Sequence, residues 1–530
     1  MVTDCISYKN TGRFSQLILD YLDEKPSVSH LYNHFPRIEN FEKQLQEKSI
    51  SYPSDQRKIL VQQLEKQYQG LSISLQTATH IEQLGQDNTY TITTGHQLNL
   101  FTGPIYFLYK IISTINLCKQ LRQQYPSYNF VPIYWMATED HDFEEINHFY
   151  FQGKKVVWNK PASGAVGRLS CEGLEEVYSH FATALGNSNN AHDLKELFKK
   201  AYLEHNTLTA ATRFLANELF KDQGLVIIDG DDAAFKKCFI PYLKNELEQK
   251  TSFNAVSKTN EFLNKNYSVQ VNPREINLFY LDHNLRERLV EIDGIYRVKN
   301  TDLTFTEKEI QQLIEQHPEK LSPNVLLRPL YQEVLLPNLC YIGGSGELAY
   351  WLQLKAFFDT QKIPFPILLL RNSVLLIPKK LKQKATQMHV EIPELFLDKN
   401  TLHNKWIRAF SEIKIDFSLQ RNHLQQQFAS LYELAEQTDP TFKNAVAAQE
   451  KKQLRGLDAL EKRLLKAQKR KHRDLLARLE ILQNQLFPGG NLQERIDNFS
   501  QWYCEYGASW LPELGEQLDP LNLEFNLIVI

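Results

Sequence analysis

The residue types able to do chemistry concentrate in one stretch, residues 89–142. Glu139, Asp140, His141 and Asp142 stand in consecutive positions, directly after the apolar run Phe130-Val131-Pro132-Ile133-Tyr134-Trp135-Met136-Ala137. Carboxylates beside an imidazole can orient amines, hold a cation or move a proton. Upstream, Thr94-Gly95-His96-Gln97-Leu98-Asn99-Leu100-Phe101-Thr102-Gly103-Pro104 puts a histidine, two amides and two glycines into one turn. Such a turn suits an anion, because glycine admits a close backbone approach and a following helix offers free N–H groups. Either cluster by itself also reads as ordinary turn and cap residues. Together they favour an active site.

The elements around them must do the positioning. Thr89-Tyr90-Thr91-Ile92-Thr93 is β-branched and aromatic, so it predicts a strand. From Pro104 the period changes: Ile105, Leu108, Ile111, Ile112, Ile115 and Leu117 predict an amphipathic helix. Residues 130–137 predict the next strand, completing a βαβ unit whose ligand side lies beyond the strands' carboxyl ends. A third strand-end loop is Gly343-Gly344-Ser345-Gly346-Glu347, after Leu339-Cys340-Tyr341-Ile342 and before a helix expected to run through Trp351, Leu352, Lys355, Ala356 and Phe358. Its glycines and the Ser345 hydroxyl suit an anion, but it is neither a Walker loop nor the dinucleotide Gly-x-Gly-x-x-Gly. Arg328 is a candidate phosphate or carboxylate clamp. Asp229, Asp231 and Asp232 follow the buried-strand run Leu225-Val226-Ile227-Ile228; helix capping is favoured there over a cation or ribose site.

Thr94-Gly95-His96-Gln97 with the later Thr102-Gly103-Pro104, and Trp135-Met136-Ala137-Thr138-Glu139-Asp140-His141-Asp142-Phe143-Glu144-Glu145, resemble the cysteine-adding enzymes of bacillithiol synthesis, the BshC family of cysteine ligases. The likeness extends over 339–371 and, more loosely, most of the chain. His96 stands where many members have glutamine, and in that it resembles the histidine-bearing signature of class I nucleotidyl transferases. The resemblance implies a doubly wound, Rossmann-like α/β core of the class I synthetase kind with a C-terminal coiled coil. It further implies a homodimer joined through that coil, and addition of cysteine to glucosaminyl-malate by amide-bond formation, with ATP and Mg²⁺ as expected cofactors. Under it His96, Glu139, Asp140, His141 and Asp142 are the catalytic candidates. Thr94, Gly95, Gln97, Asn99, Gly103, Arg328, Gly343, Gly344, Ser345, Gly346 and Glu347 would bind substrate or nucleotide. A nucleotidyl transferase for another small acid and an RNA-binding protein with a degenerate synthetase-like core are the alternatives.

At 530 residues the chain exceeds one simple core, and its net charge of −3 argues neither for nor against nucleic acid. The start, Met1-Val2-Thr3-Asp4-Cys5, shows no secretory pattern, and residues 364–378 are too short to span a bilayer, so a cytoplasmic location is expected. Cys5, Cys118, Cys171, Cys238, Cys340 and Cys504 are scattered without a Cys-x-x-Cys pair, arguing against a disulfide framework or zinc knuckle. His141 and His148 flank carboxylates, but no metal site is expected from this spacing.

The organisation expected is a helical segment at 1–84, core parts at 85–150, 221–254 and 331–384, insertions at 151–220 and 255–330, and a helical domain at 385–530. Leu454, Leu457, Leu460, Leu464 and Ala467, then Leu475, Leu479, Leu482 and Leu486, recur at coiled-coil spacing within one long helix at about 442–486, with Lys471 on the seam. A break is expected before it at Asp439-Pro440. Residues 450–480 hold eleven Lys and Arg against five Asp and Glu, most simply the wet face of that coil.

Overall fold

The structure, a computed structural model, describes residues 2–438 and 440–530. Its centre is a five-stranded parallel sheet. The strands are β1 (Thr89–His96), β2 (Asn129–Met136), β3 (Val226–Asp229), β4 (Asn338–Gly343) and β5 (Ile367–Leu370). Spatially they run β5-β4-β1-β2-β3, a Rossmann-like order that reverses direction between β1 and β4. Register sets His96 opposite Met136, Met136 opposite Asp229, and Gly343 opposite Leu370, so the carboxyl ends lie level. All eight residues of β1 are buried, as continuous apolar and β-branched runs require of strands covered on both faces.

Connecting helices are α1 (Tyr106–Gln124), α2 (Ala233–Gln249), α3 (Leu327–Leu335), α4 (Ser345–Trp351) and α5 (Lys355–Gln361). The expected single helix after the glycine loop is therefore two, parted at residues 352–354. The N-terminal region packs on the sheet: Phe41 and Leu45 join Tyr90, Ile92, Phe130, Ile342 and Leu369 in one cluster. It is not wholly helical, since it opens with the strand Val2–Ile6. Residues 151–220, expected to be loosely mixed, hold three helices, Leu174–Leu185, Asn189–Tyr202 and Leu208–Phe220. The second insertion carries a five-stranded antiparallel sheet with the expected Asp293-Gly294 hairpin.

Helix α1 corrects the amphipathic expectation. Nearly every residue from Phe107 to Ile115 is buried, including Lys110. The chain's end explains this. Residues 493–528 fold with the first compact unit, and the Asn116 amide donates to the Gly515 and Leu518 carbonyls. The second unit is 376–492 with residues 10–12 and 529–530.

That unit contains α6 (Ser418–Glu436), α7 (Pro440–Lys471) and α8 (Arg473–Leu486). The expected break at Asp439-Pro440 falls partly on Asp439, outside the described residues. The expected unbroken 442–486 helix instead divides at His472, beside the seam position Lys471 where the leucine pattern lapses. In α8 it is Leu476 that is buried with Leu479, Leu482 and Leu486, whereas Leu475 is exposed. Phe428, Ala435 and Val446 form the α6–α7 core.

Asp497, in the returning segment, is buried, and burial pushes its carboxyl up to about 7. An acid with a raised folded pKa binds more protons folded than unfolded, so it progressively destabilises the fold as pH climbs toward that value. Asp497→Asn is expected to match the parent near pH ~4 and exceed it near pH ~8, the gap widening by at most about 1.4 kcal/mol per pH unit. Urea unfolding at several pH values checks this.

Candidate functional site

The reversal between β1 and β4 places two predicted loops side by side. Thr94 Oγ1 donates to the Ile342 carbonyl at 2.8 Å, tying the strands where the loops begin. Lys110 Nζ reaches across, donating to the Gly95 carbonyl and, at 2.7 Å, to Glu347 Oε2. Glu347 also accepts from the Gly344 N–H and the Tyr341 hydroxyl, each at 2.8 Å. Burial by itself would raise the Glu347 carboxyl, but Lys110 and these donors outweigh it and hold it below the usual carboxylate range. Gly343 is tightly packed: a Cβ there would lie 2.8 Å from Leu348 Cδ1 and 3.1 Å from Glu347 Cβ, so those side chains would have to shift. Ser345 is the half-buried first residue of α4, and Gly346 is exposed with open space at its Cβ position.

Arg328, on α3, packs over the Tyr341 ring at 5.7 Å and donates to Gln332 at 3.0 Å; its Nη2 is buried without a partner. Arg371, just past β5, lies over Tyr106 at 4.9 Å, and its buried Nε is likewise unpartnered. A Cβ on Gly344 would sit 3.8 Å from that Nε. His96 is buried against Tyr106 and Phe107, ring centroids 5.4 and 5.0 Å away. Burial, with Lys110 and Arg371 nearby, holds it well below the ordinary histidine pKa, so it is neutral. The ring hydrogen-bonds to the Thr102 backbone and Nε2 has no partner, which makes Nε2 an acceptor rather than a donor to phosphate. The helix N-terminus expected to seat phosphate is also partly taken, since the Ile105 N–H donates to the Asp497 carbonyl at 2.7 Å.

The acidic string joins this site through Gln97, whose amide donates to Asp140 Oδ2 at 2.9 Å and Glu145 Oε2 at 2.8 Å. Asn99 donates to the Glu145 carbonyl at 3.3 Å, and Gly103 (φ 61°) leaves no room for a Cβ beside Asn99. Of the string, Asp142 caps the short helix Phe143–Ile146, accepting from Glu145 N–H. Asp140 Oδ1 accepts from the His141 N–H at 2.7 Å. Glu139 pairs with buried Lys236, yet burial still pushes its carboxyl above the usual range. Arg286 donates to His141 Nδ1 at 2.6 Å while stacking 4.0 Å over Phe279. Burial and Arg286 lower the His141 pKa, and its Nδ1 is engaged by the guanidinium. The carboxylates do not converge on a cation: among the described residues no three His, Cys, Asp or Glu side chains could hold a metal ion. Asp232 caps α2, Asp231 pairs with Arg168 at 2.7 Å, and Asp229 accepts from Thr138.

Sequence reasoning missed Lys110, Tyr341, Arg371, Lys236 and Arg286. Lys110 alone left a trace, a single cation within the apolar run Tyr106-Phe107-Leu108-Tyr109-Lys110-Ile111-Ile112. A separate cavity of about 520 Å³, lined by residues such as Ile112, Lys119, Phe220 and Pro512, opens along α1 and includes none of the site residues. Among the described residues no helix is long and apolar enough to cross a membrane.

Comparison with known proteins agrees with this architecture. The model of the bacillithiol biosynthesis BshC N-terminal Rossmann-like domain matches residues 1–372, and that of the BshC C-terminal coiled-coil domain matches 374–530. A protein named "Putative cysteine ligase BshC" from Flavobacterium johnsoniae is 57% identical over 530 residues, covering 100% of each chain. Its namesake from Flavobacterium psychrophilum is 56% identical over 100% of this chain and 99% of its own. That from Cytophaga hutchinsonii is 36% identical over 98% of each. Matched by both domain models over almost every residue, the chain belongs to the bacillithiol-biosynthesis BshC family.

Proposed function

We propose that the chain joins cysteine to glucosaminyl-malate through an amide bond, yielding bacillithiol, with ATP activating the cysteine carboxylate. The observation that carries the reading is the switch point between β1 and β4, where buried guanidinium nitrogens of Arg328 and Arg371 stand without partners. A carboxylate is a poor electrophile in water, and ATP when bound supplies the leaving group the acyl carbon lacks. The donor set fits phosphate oxygens: Arg328 and Arg371 are fixed cations, and the glycines of 343–344 keep the approach open. Mg²⁺ would arrive with the nucleotide, since the acidic string is already engaged.

The chain's own groups then divide the work. Lys110 and Glu347 lock the two loops at a set separation. His96 Nε2, a neutral acceptor, receives a hydrogen bond from a substrate amine. Glu139, with its raised pKa, takes the proton that amine loses on acylation, and Lys236 steadies the carboxylate. Exposed Leu419, Leu434 and Leu460 on α6 and α7 support self-association through the coiled coil.

The test mixes purified protein, confirmed dimeric by sedimentation, with cysteine, glucosaminyl-malate and ATP. Expected are bacillithiol by mass and stoichiometric nucleotide cleavage; release of pyrophosphate or of phosphate distinguishes adenylate from acyl phosphate. No product from authentic substrates would overturn the assignment, and product without ATP would remove its activation step.

A further inference from the structure

Between His96 and α1 the backbone adopts a conformation that L-residues avoid. Phe101 (φ 46°), Thr102 (φ 69°) and Gly103 (φ 61°) are consecutive in the positive-φ region, and two of them carry side chains. Such a run persists only where its surroundings over-determine it. Asn498, wholly buried, donates from Nδ2 to the Phe101 carbonyl at 2.7 Å and the Gly103 carbonyl at 2.6 Å. Its Oδ1 accepts from the Ser500 N–H at 3.0 Å, which fixes the amide's orientation. From the first insertion, the Tyr202 hydroxyl accepts the Phe101 N–H at 2.7 Å. The Phe101 ring is held by Phe181, Phe198 and Phe499, with centroids 5.0–5.3 Å away. Two segments remote in sequence thus clamp three residues. The residue at the middle of the clamp, Thr102, is the one whose backbone meets the His96 ring, while Nε2 stays bare.

We propose that Asn498 and Tyr202 are positioning residues: by holding the strained 101–103 turn they present the Thr102 carbonyl to His96 and keep its imidazole in the Nδ1–H tautomer, with Nε2 free as an acceptor. The proposal deepens the functional reading above, and rests on it for the consequence to turnover but not for the tautomer. Thr102 supplies only a main-chain carbonyl, so the information lies in the clamp. Asn498 also caps the helix Phe499–Tyr506, and an alanine there would remove both duties at once. Asn498→Asp keeps the cap acceptor and loses the double donor. Tyr202→Phe removes a single acceptor and leaves the ring packing in place.

The experiment is NMR of ¹⁵N,¹³C-histidine-labelled protein, with His96 assigned through His96→Gln, alongside kinetics. The parent should show His96 as one Nδ1–H tautomer across pH 6–8. Asn498→Asp and Tyr202→Phe should mix the tautomers and lower kcat by about 10- to 100-fold with KM little changed. Tyr202→Phe keeps the test open if Asn498→Asp does not fold. A parent ring in the Nε2–H form, or unchanged His96 signals in a folded Tyr202→Phe, would overturn the proposal. If the tautomer shifts as stated but no bacillithiol forms in any variant, the clamp stands and the ligase reading falls.

Discussion

Glu494→Gln is expected to cost about 3–5 kcal/mol of stability, the range for stranding one member of a buried ion pair. Arg371 and Glu494 meet in two parallel bonds, Nη1 to Oε2 at 3.0 Å and Nη2 to Oε1 at 2.8 Å, with both side chains almost wholly out of solvent. Oε2 also accepts the Val374 N–H at 3.0 Å, so the carboxylate joins the end of β5 to the returning chain terminus. Glutamine conserves the shape but turns an amide donor toward the guanidinium and leaves its charge unanswered. Arg371 also stacks on Tyr106 and lowers the His96 pKa, so its loosening should depress activity beyond the loss of folded protein. Urea unfolding followed by tryptophan fluorescence measures the change. A loss under ~1 kcal/mol would mean the pair is dispensable. Restoration in Arg371→Met with Glu494→Leu would show the cost is the stranded charge rather than the lost shape.

Lys110→Met is expected to lower kcat by about 10²–10³-fold, the effect of removing a preorganised electrostatic group. Methionine fills the volume of the aliphatic stem, so the change isolates the cation. Without it the Gly95 carbonyl and Glu347 lose their common donor, and the loops after β1 and β4 lose their tether. Glu347, now held only by the Gly344 N–H and Tyr341, should titrate higher. Its depressed folded pKa contributes stability above the unfolded carboxylate value, and that contribution disappears as pH falls through the folded value. The parent should therefore hold its greatest advantage at neutral pH and lose it in acid, where protonated Glu347 no longer answers the buried Lys110 cation. Steady-state kinetics with unfolding curves at two pH values decide it. A kcat within threefold of the parent would remove Lys110 from the machinery.

Local patterns carried a good part of this molecule. The β-branched run at Thr89, the apolar runs ending at Asp229 and Gly343 and the Asp293-Gly294 hairpin all form as their residues require. Each depends on interactions within a few positions, where side-chain period and turn chemistry act. The same locality limits what could be read. Asp142 and Asp140 sit in one acidic run, where the first caps a helix and the second braces its own turn. Whether such a carboxylate meets an N–H, a lysine or a ligand depends on what the fold brings opposite, which no window of sequence contains. Helix α1 departs from the amphipathic expectation because its second covering layer arrives from residues 493–528.

The sequence by itself determined the kinds of element, the positions of the three strand-end loops and the family to which the chain belongs. Only the tertiary structure decided the strand order that sets the β1 and β4 loops beside each other. It also decided the burial of Lys110, the Arg371–Glu494 lock and the clamp on the 101–103 turn. Those groups are polar, and burying a polar group is unfavourable until a partner is fixed beside it. Tyr202 lies 101 residues from Phe101, Glu494 123 from Arg371, Glu347 237 from Lys110 and Asn498 397 from Phe101, so the value of these partners exists only once the fold has closed.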